Sequence, residues 1–131
     1  GQIAFPGGKI DDSDESPEAA ALREAWEEIG LPPDRVQILG RLGTHETVTS
    51  YSIIPILSFV RDAFTPTPER GEVEEVFSVP LAHVLDRARD IVEGRIWKGQ
   101  PRQYYAVPYG PYYIWGATAR ILRGLAERAA Q

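Results

Sequence analysis

Ser16-Pro17-Glu18-Ala19-Ala20-Ala21-Leu22-Arg23-Glu24-Ala25-Trp26-Glu27-Glu28-Ile29-Gly30-Leu31-Pro32-Pro33 is the stretch on which both fold and chemistry turn. Its order predicts a helix over 17–29. Ser16 can cap the first turn, Pro17 suits the first helical position where a missing N–H costs nothing, and Gly30 suits a left-handed stop. Leu31-Pro32-Pro33 then prevents continuation. At about 100° per residue, Ala19, Leu22, Trp26 and Ile29 fall in one sector, and Glu24, Glu27 and Glu28 gather roughly opposite. One side is expected to pack and the other to present three carboxylates. Like charges three and four residues apart destabilise a helix by a few tenths of a kcal/mol per pair, so something should offset the repulsion. Arg23, one turn before Glu27, can neutralise one carboxylate, and a hard divalent cation would neutralise the rest. A solvated acidic face is the commoner origin of such a cluster, so its surroundings must decide.

Upstream, Gly1-Gln2-Ile3-Ala4-Phe5 reads as a strand entered partway along, followed by a Pro6-Gly7-Gly8 turn and an acidic loop carrying Asp11, Asp12, Asp14 and Glu15 towards the helix. Glycines there let backbone approach a ligand closely, although Pro-Gly-Gly is also an ordinary turn. With no Met anywhere and a strand at its first residue, the chain is expected to lack an N-terminal portion. Downstream, β-branched and aromatic residues bounded by turn formers predict strands at 36–43, 47–60, 73–79 and 104–108. A short helix is expected at 80–86. A final amphipathic helix is expected over 114–129, with Ile114, Ala117, Ile121 and Leu125 on one face. The order implies an α/β fold with helices on either side of a mixed sheet.

At 131 residues, 43% hydrophobic and 25% charged, the chain suits one domain spanning 1–131 with one core. No apolar run approaches the roughly 20 residues of a membrane span; the longest, 53–60, is broken by Pro55 and Ser58. The first residues lack the basic start and apolar stretch of a signal peptide, so a cytoplasmic location is expected. Cysteine is absent, which excludes thiol chemistry and cysteine-ligated zinc. A net charge of −5 argues against a nucleic-acid partner. A phosphate substrate would need local arginines or a bound cation to reverse the sign of the field.

Taken together, Gly8, Glu15 and Arg23-Glu24-Ala25-Trp26-Glu27-Glu28-Ile29-Gly30-Leu31 resemble the signature of the Nudix hydrolases, GX5EX7REUXEEXGU, with U an aliphatic residue. The loop is one residue longer than the signature. Glu15 has the required spacing to Arg23 and Asp14 the required spacing from Gly8, so either can be the loop carboxylate. The stretches 1–8, 21–25, 72–81 and 114–122 are similar to the coenzyme A pyrophosphatase branch of that family. The resemblance implies a Nudix-type α/β/α sandwich and a small-molecule nucleotide substrate, with Gly7 and Gly8 at the substrate. It also implies Arg23, Glu24, Glu27 and Glu28 as catalytic residues, and Mg²⁺ or Mn²⁺ held by Glu24 and Glu28 with Glu27 assisting. The implied reaction is hydrolysis of the coenzyme A pyrophosphate to 3′,5′-ADP and 4′-phosphopantetheine. Two alternatives share the helix: a Nudix enzyme for another dinucleotide such as ADP-ribose or NADH, and a non-catalytic ligand-binding module.

A carboxylate not saturated by metal, either Glu27 or one from 72–75, is the expected proton acceptor. His45 and His83 read as ordinary surface or strand-end residues. The tyrosines at 104, 105, 109, 112 and 113 read first as core, with stacking on an adenine the lesser reading. Arg95, Lys98 and Arg102 read as a solvated basic loop, with the 3′-phosphate of coenzyme A as the alternative contact. Oligomeric state is not legible.

Overall fold

The computed structural model describes residues 2–47, 49–86, 91–97 and 99–130, without side chains at 91–93, 95–97 and 101–104. In chain order the elements are α1 (Pro17–Ile29), a 3₁₀ turn (Pro33–Arg35), β1 (Val36–Arg41), β2 (His45–Glu46), β3 (Ser52–Ile53), β4 (Ile56–Val60), α2 (Leu81–Leu85), β5 (Ile91–Trp97), β6 (Gln100–Tyr109), β7 (Tyr112–Trp115) and α3 (Gly116–Ala129). The α/β class expected of the sequence is present. Among the described residues the strands pair in three small antiparallel sheets, β1–β4, β2–β3 and β5–β6–β7.

Contacts divide the chain into two compact units, each built from separated stretches. One comprises Phe5–Leu42 and Ile54–Ser78 and carries the acidic helix. Here α1 packs against the 3₁₀ turn and β4. β1 alternates inward and outward residues, as a half-buried strand must. Its register with β4 runs Val36↔Val60, Gln37↔Phe59 and Ile38↔Ser58, then shifts before Gly40↔Leu57. Leu39 takes one of the outward positions of that alternation and is exposed. The buried residues of this unit are Ala20 and Ala25, small side chains that let α1 lie close to its neighbours, and Leu31 just beyond the helix.

The other unit comprises Gly1–Ala4, Gly43–Ile53 and Val79–Gln131. Val84 from α2, Ala106 and Val107 from β6, Ile114 from β7, and Ala119, Ile121, Leu122 and Ala126 from α3 form its core. The Thr118 hydroxyl donates to the Ile3 carbonyl at 2.9 Å, and Arg120 donates to the Glu46 carbonyl at 2.9 Å.

Several element expectations are corrected. Residues 2–5 form no strand. Residues 73–79 form none either; the Glu72 and Val73 amides donate instead to the Glu69 carbonyl, a turn that takes up the start of the segment. The single strand expected over 47–60 is the end of one hairpin plus β4, broken at Pro55, which has no N–H to give a ladder. Ile114 belongs to β7, and α3 starts only at Gly116, whose φ of 66° breaks the extended chain. β5 had no sequence signal because Glu93, Gly94 and Arg95 interrupt its apolar pattern. Trp26, expected on the packed side of α1, is 55% exposed; Ala20 and Ala25 are the buried residues of that helix.

Candidate active site

α1 begins and ends as its sequence dictates. The Ser16 hydroxyl accepts from the Ala19 amide at 3.1 Å, and Pro17 occupies the first turn. Gly30 adopts φ 71°, and its amide donates to the Trp26 carbonyl at 3.0 Å. The helix is therefore fixed at both ends, and the direction of its acidic side is fixed with it.

Arg23 is the hub of that side. Its Nε donates to Asp14 Oδ1 and its Nη2 to Asp14 Oδ2, both at 2.9 Å, the two-pronged geometry that makes arginine–carboxylate pairs strong. Nη1 donates to Glu24 Oε1 at 3.0 Å and to Glu27 Oε2 at 3.2 Å. Nη2 also donates to the Lys9 carbonyl at 3.2 Å and lies 3.4 Å from Asp11. Asp14 is held in turn by the Asp11 amide at 2.7 Å. Its side chain is 5% exposed, while Glu15 is exposed, so Asp14 is the loop carboxylate that meets the arginine. The Arg23 hydrogen bond, with help from the Asp11 amide, holds the Asp14 carboxyl below its usual range, and the same pairing raises Arg23.

Gly7 and Gly8 lie directly over the helix. The Gly7 amide donates to Glu28 Oε1 at 3.2 Å. A Cβ on Gly8 would stand 2.6 Å from Glu24 Oε1 and 2.9 Å from Oε2, so only glycine leaves room for that carboxylate. The carboxyl of Glu28 is pushed up, first by burial and then by a hydrogen bond shared with Glu24; the Gly7 amide opposes the rise and the field of Glu72 adds to it. Two carboxyl groups in hydrogen-bond contact need a proton or a cation between them. A hard divalent ion fits that donor set, since it would take the place of the shared proton. Glu27 is 53% exposed and turned to Arg23. Among the described residues no group of three Asp, Glu, His or Cys side chains is gathered closely enough to hold an ion. The structure thus brings Glu24 and Glu28 together, and places Glu27 beside them on the arginine.

The sequence carried no sign of a clamp at the start of α1, where Arg41 donates from Nε to Glu18 at 2.6 Å and from Nη2 at 2.9 Å. That pairing lowers the Glu18 carboxyl to about 2. Nor did it show that the Thr67 and Glu69 amides donate to the Ile29 and Glu28 carbonyls, both at 2.8 Å. Backbone partners of this kind leave no mark on residue choice.

The histidines lie in the other unit. His45 Nε2 is 4.0 Å from where a Cβ on Gly124 would stand, and burial with the nearby Arg120 lowers its pKa. His83 Nε2 is 2.7 Å from the Pro108 carbonyl oxygen, and its ring meets Tyr109 edge-on at 5.0 Å. The guanidinium of Arg123 covers the Tyr105 ring at 4.3 Å. Lys98 and the side chains of Arg95, Arg102 and Tyr104 lie outside the described residues.

A helix of spaced carboxylates, an arginine hub and a glycine turn laid over them define a NUDIX domain. Residues 1–98 match that family, and the chain belongs to it. Its similar relatives include proteins of Escherichia coli O7:K1 (strain IAI39 / ExPEC), Escherichia coli (strain K12) and Shigella boydii serotype 4 (strain Sb227), each called uncharacterized Nudix hydrolase NudL. Each is 39% identical over 126 residues, which cover 96% of this chain. The chain spans 66% of the length of these relatives. Among the described residues no helix is long and apolar enough to cross a membrane.

Proposed function

We propose that this NUDIX domain hydrolyses the pyrophosphate linkage of a nucleoside diphosphate derivative, and that the derivative is coenzyme A or one of its thioesters. The observation that carries the reading is the seating of Gly7 and Gly8 over the acidic helix, with the Gly7 amide on Glu28 and the Gly8 backbone against the Glu24 carboxylate. The sequence likeness of 1–8, 21–25, 72–81 and 114–122 to the coenzyme A pyrophosphatase branch supports the finer substrate. The relatives' shared name, Nudix hydrolase, supports the reaction class.

Glu24 and Glu28 would hold Mg²⁺ or Mn²⁺, with Glu27 assisting. When bound, such an ion neutralises the two phosphates and lowers the pKa of a coordinated water. Gly7 and Gly8, lacking side chains, let the diphosphate come close to the backbone. Arg23 keeps Glu24 and Glu27 in place and is itself anchored by Asp14. The water oxygen bonds to one phosphorus, the P–O bond to the bridging oxygen breaks, and that oxygen leaves with the second phosphate. The water's proton passes to a carboxylate not saturated by the cation. Glu72, whose charge is felt at Glu28, and Glu27 are the candidates.

We propose further that residues 1–131 act as a single domain in the cytoplasm. The chain passes between the two units after Ala4, Leu42, Ile53 and Ser78, so neither unit is one continuous segment.

The test is product analysis after incubation with coenzyme A, ADP-ribose and NADH in turn, with and without Mg²⁺ or Mn²⁺. Metal-dependent release of 3′,5′-ADP from coenzyme A is expected. Preference for another dinucleotide would discard the substrate and keep the reaction class. Ligand binding without turnover would replace both with a binding module.

A further inference from the structure

We propose that residues 67–69 are a backbone clasp on the last turn of α1, and that Thr67 and Glu69 act through it as positioning residues that set Glu72 beside Glu28. The inference rests on the pyrophosphatase reading of the site. The last carbonyls of any helix lack intrahelical partners. In α1 those of Ile29 and Glu28 are taken by the Thr67 and Glu69 amides at 2.8 Å each. A segment from beyond β4 is thereby tied to the same residue, Glu28, whose side chain faces Glu24.

The chain then turns at once. The Glu72 and Val73 amides donate to the Glu69 carbonyl at 3.3 and 3.0 Å, and Gly71 takes φ 89°, which a side chain would resist. The peptide held to Glu28 is thus three residues from Glu72, across one tight turn. The field of Glu72 reaches the Glu28 carboxyl in agreement with this placement.

Gly30 sets the distance between clasp and helix. A Cβ there would stand 3.2 Å from Thr67 Cβ, tighter than nine in ten such contacts. Trp26, Glu27 and Gly30 line an open groove with Thr67, Pro68 and Glu69, so the segment runs beside the last turn of α1 over several residues. Since a misplacement of about 1 Å can cost about 100-fold in rate, loosening the clasp should be read in turnover.

The clasp works through N–H groups, so the discriminating pair of variants is Glu69→Pro, which deletes the donor, and Glu69→Ala, which keeps it. With Mn²⁺ and coenzyme A, kcat of Glu69→Pro is expected to fall about 10-fold or more below that of Glu69→Ala, with KM within about threefold. In a Glu72→Gln background the same exchange should have little further effect, because the two changes act on one group. Equal kcat for the two Glu69 variants, or full additivity with Glu72→Gln, would overturn the proposal. Amide hydrogen exchange on the wild-type chain supplies a readout that needs neither turnover nor a folded proline variant. The Thr67 and Glu69 amides should exchange at least about 100-fold more slowly than unstructured peptide; exchange at the unprotected rate would overturn the clasp. If wild type cleaves no pyrophosphate while these amides are protected, the functional reading fails and the assignment of Glu72's role fails with it.

Discussion

Glu28 shows how far a single side chain commits the molecule. Burial and the neighbouring Glu24 raise its pKa, so without metal it favours the folded state most when protonated. A carboxyl raised in the folded chain contributes stability below its unfolded value of 4.5, and that contribution is lost as pH rises through the folded value. Metal-free protein should therefore lose stability as pH rises above 4.5, and Mg²⁺ or Mn²⁺ should restore it. Thermal melts across this range with and without metal would check both. Glu28→Gln should abolish most metal-dependent turnover while leaving the fold intact or slightly more stable, since it relieves like-charge repulsion. Gly8→Ala makes a separate test. The added Cβ meets the end of a flexible side chain, so the fold should survive while the Glu24 carboxylate is displaced. Mn²⁺ affinity measured by calorimetry should fall about 10-fold or more, in the range seen when groups that orient ligands are disturbed. Much at this scale was legible in the sequence: the spacing of Glu24, Glu27 and Glu28 with Arg23 named the residues. Which of Asp14 and Glu15 pairs with the arginine was not, because a one-residue loop insertion shifts a spacing without saying where it is absorbed.

At the scale of the element, α1 was readable from end to end because its signals are local: a serine cap, a proline start and a glycine stop. Ser16→Ala should cost about 1 kcal/mol in chemical denaturation, since the Ala19 amide loses its acceptor. Glu18 gives the helix a pH dependence of the opposite sign to Glu28. Its pKa is lowered to about 2 by Arg41, so its contribution is present above 4.5 and is lost as pH falls from 4.5 to about 2. Glu18→Gln should flatten this acid limb of a stability–pH profile. The strands were read less well than the helix. Residues 73–79 are rich in β-branched and aromatic side chains, yet their first amide, that of Val73, donates into a turn on Glu69. β5 lacks an apolar pattern and exists through its pairing with β6. Strand identity depends on partners distant in sequence, and helix identity on neighbours three and four residues away.

The whole molecule is built by a chain that passes four times between its two compact units, after Ala4, Leu42, Ile53 and Ser78. A chain so interleaved should unfold in one cooperative transition, with tryptophan fluorescence and far-UV circular dichroism giving coincident curves in urea. Separate midpoints would show two independently stable domains. Membership of the NUDIX family could be read from one helix and the turn before it. The division of contacts into two units could not, because it depends on which distant stretches meet.

The role proposed for the paired carboxylates of Glu24 and Glu28 is metal-dependent cleavage of a pyrophosphate. Its most direct test is chromatographic product analysis of coenzyme A incubated with wild type and with Glu28→Gln, each with and without Mn²⁺. We expect 3′,5′-ADP and 4′-phosphopantetheine from wild type with metal alone, and a loss of about 100-fold or more in the variant. Equal product from both proteins, or from wild type freed of metal, would contradict it.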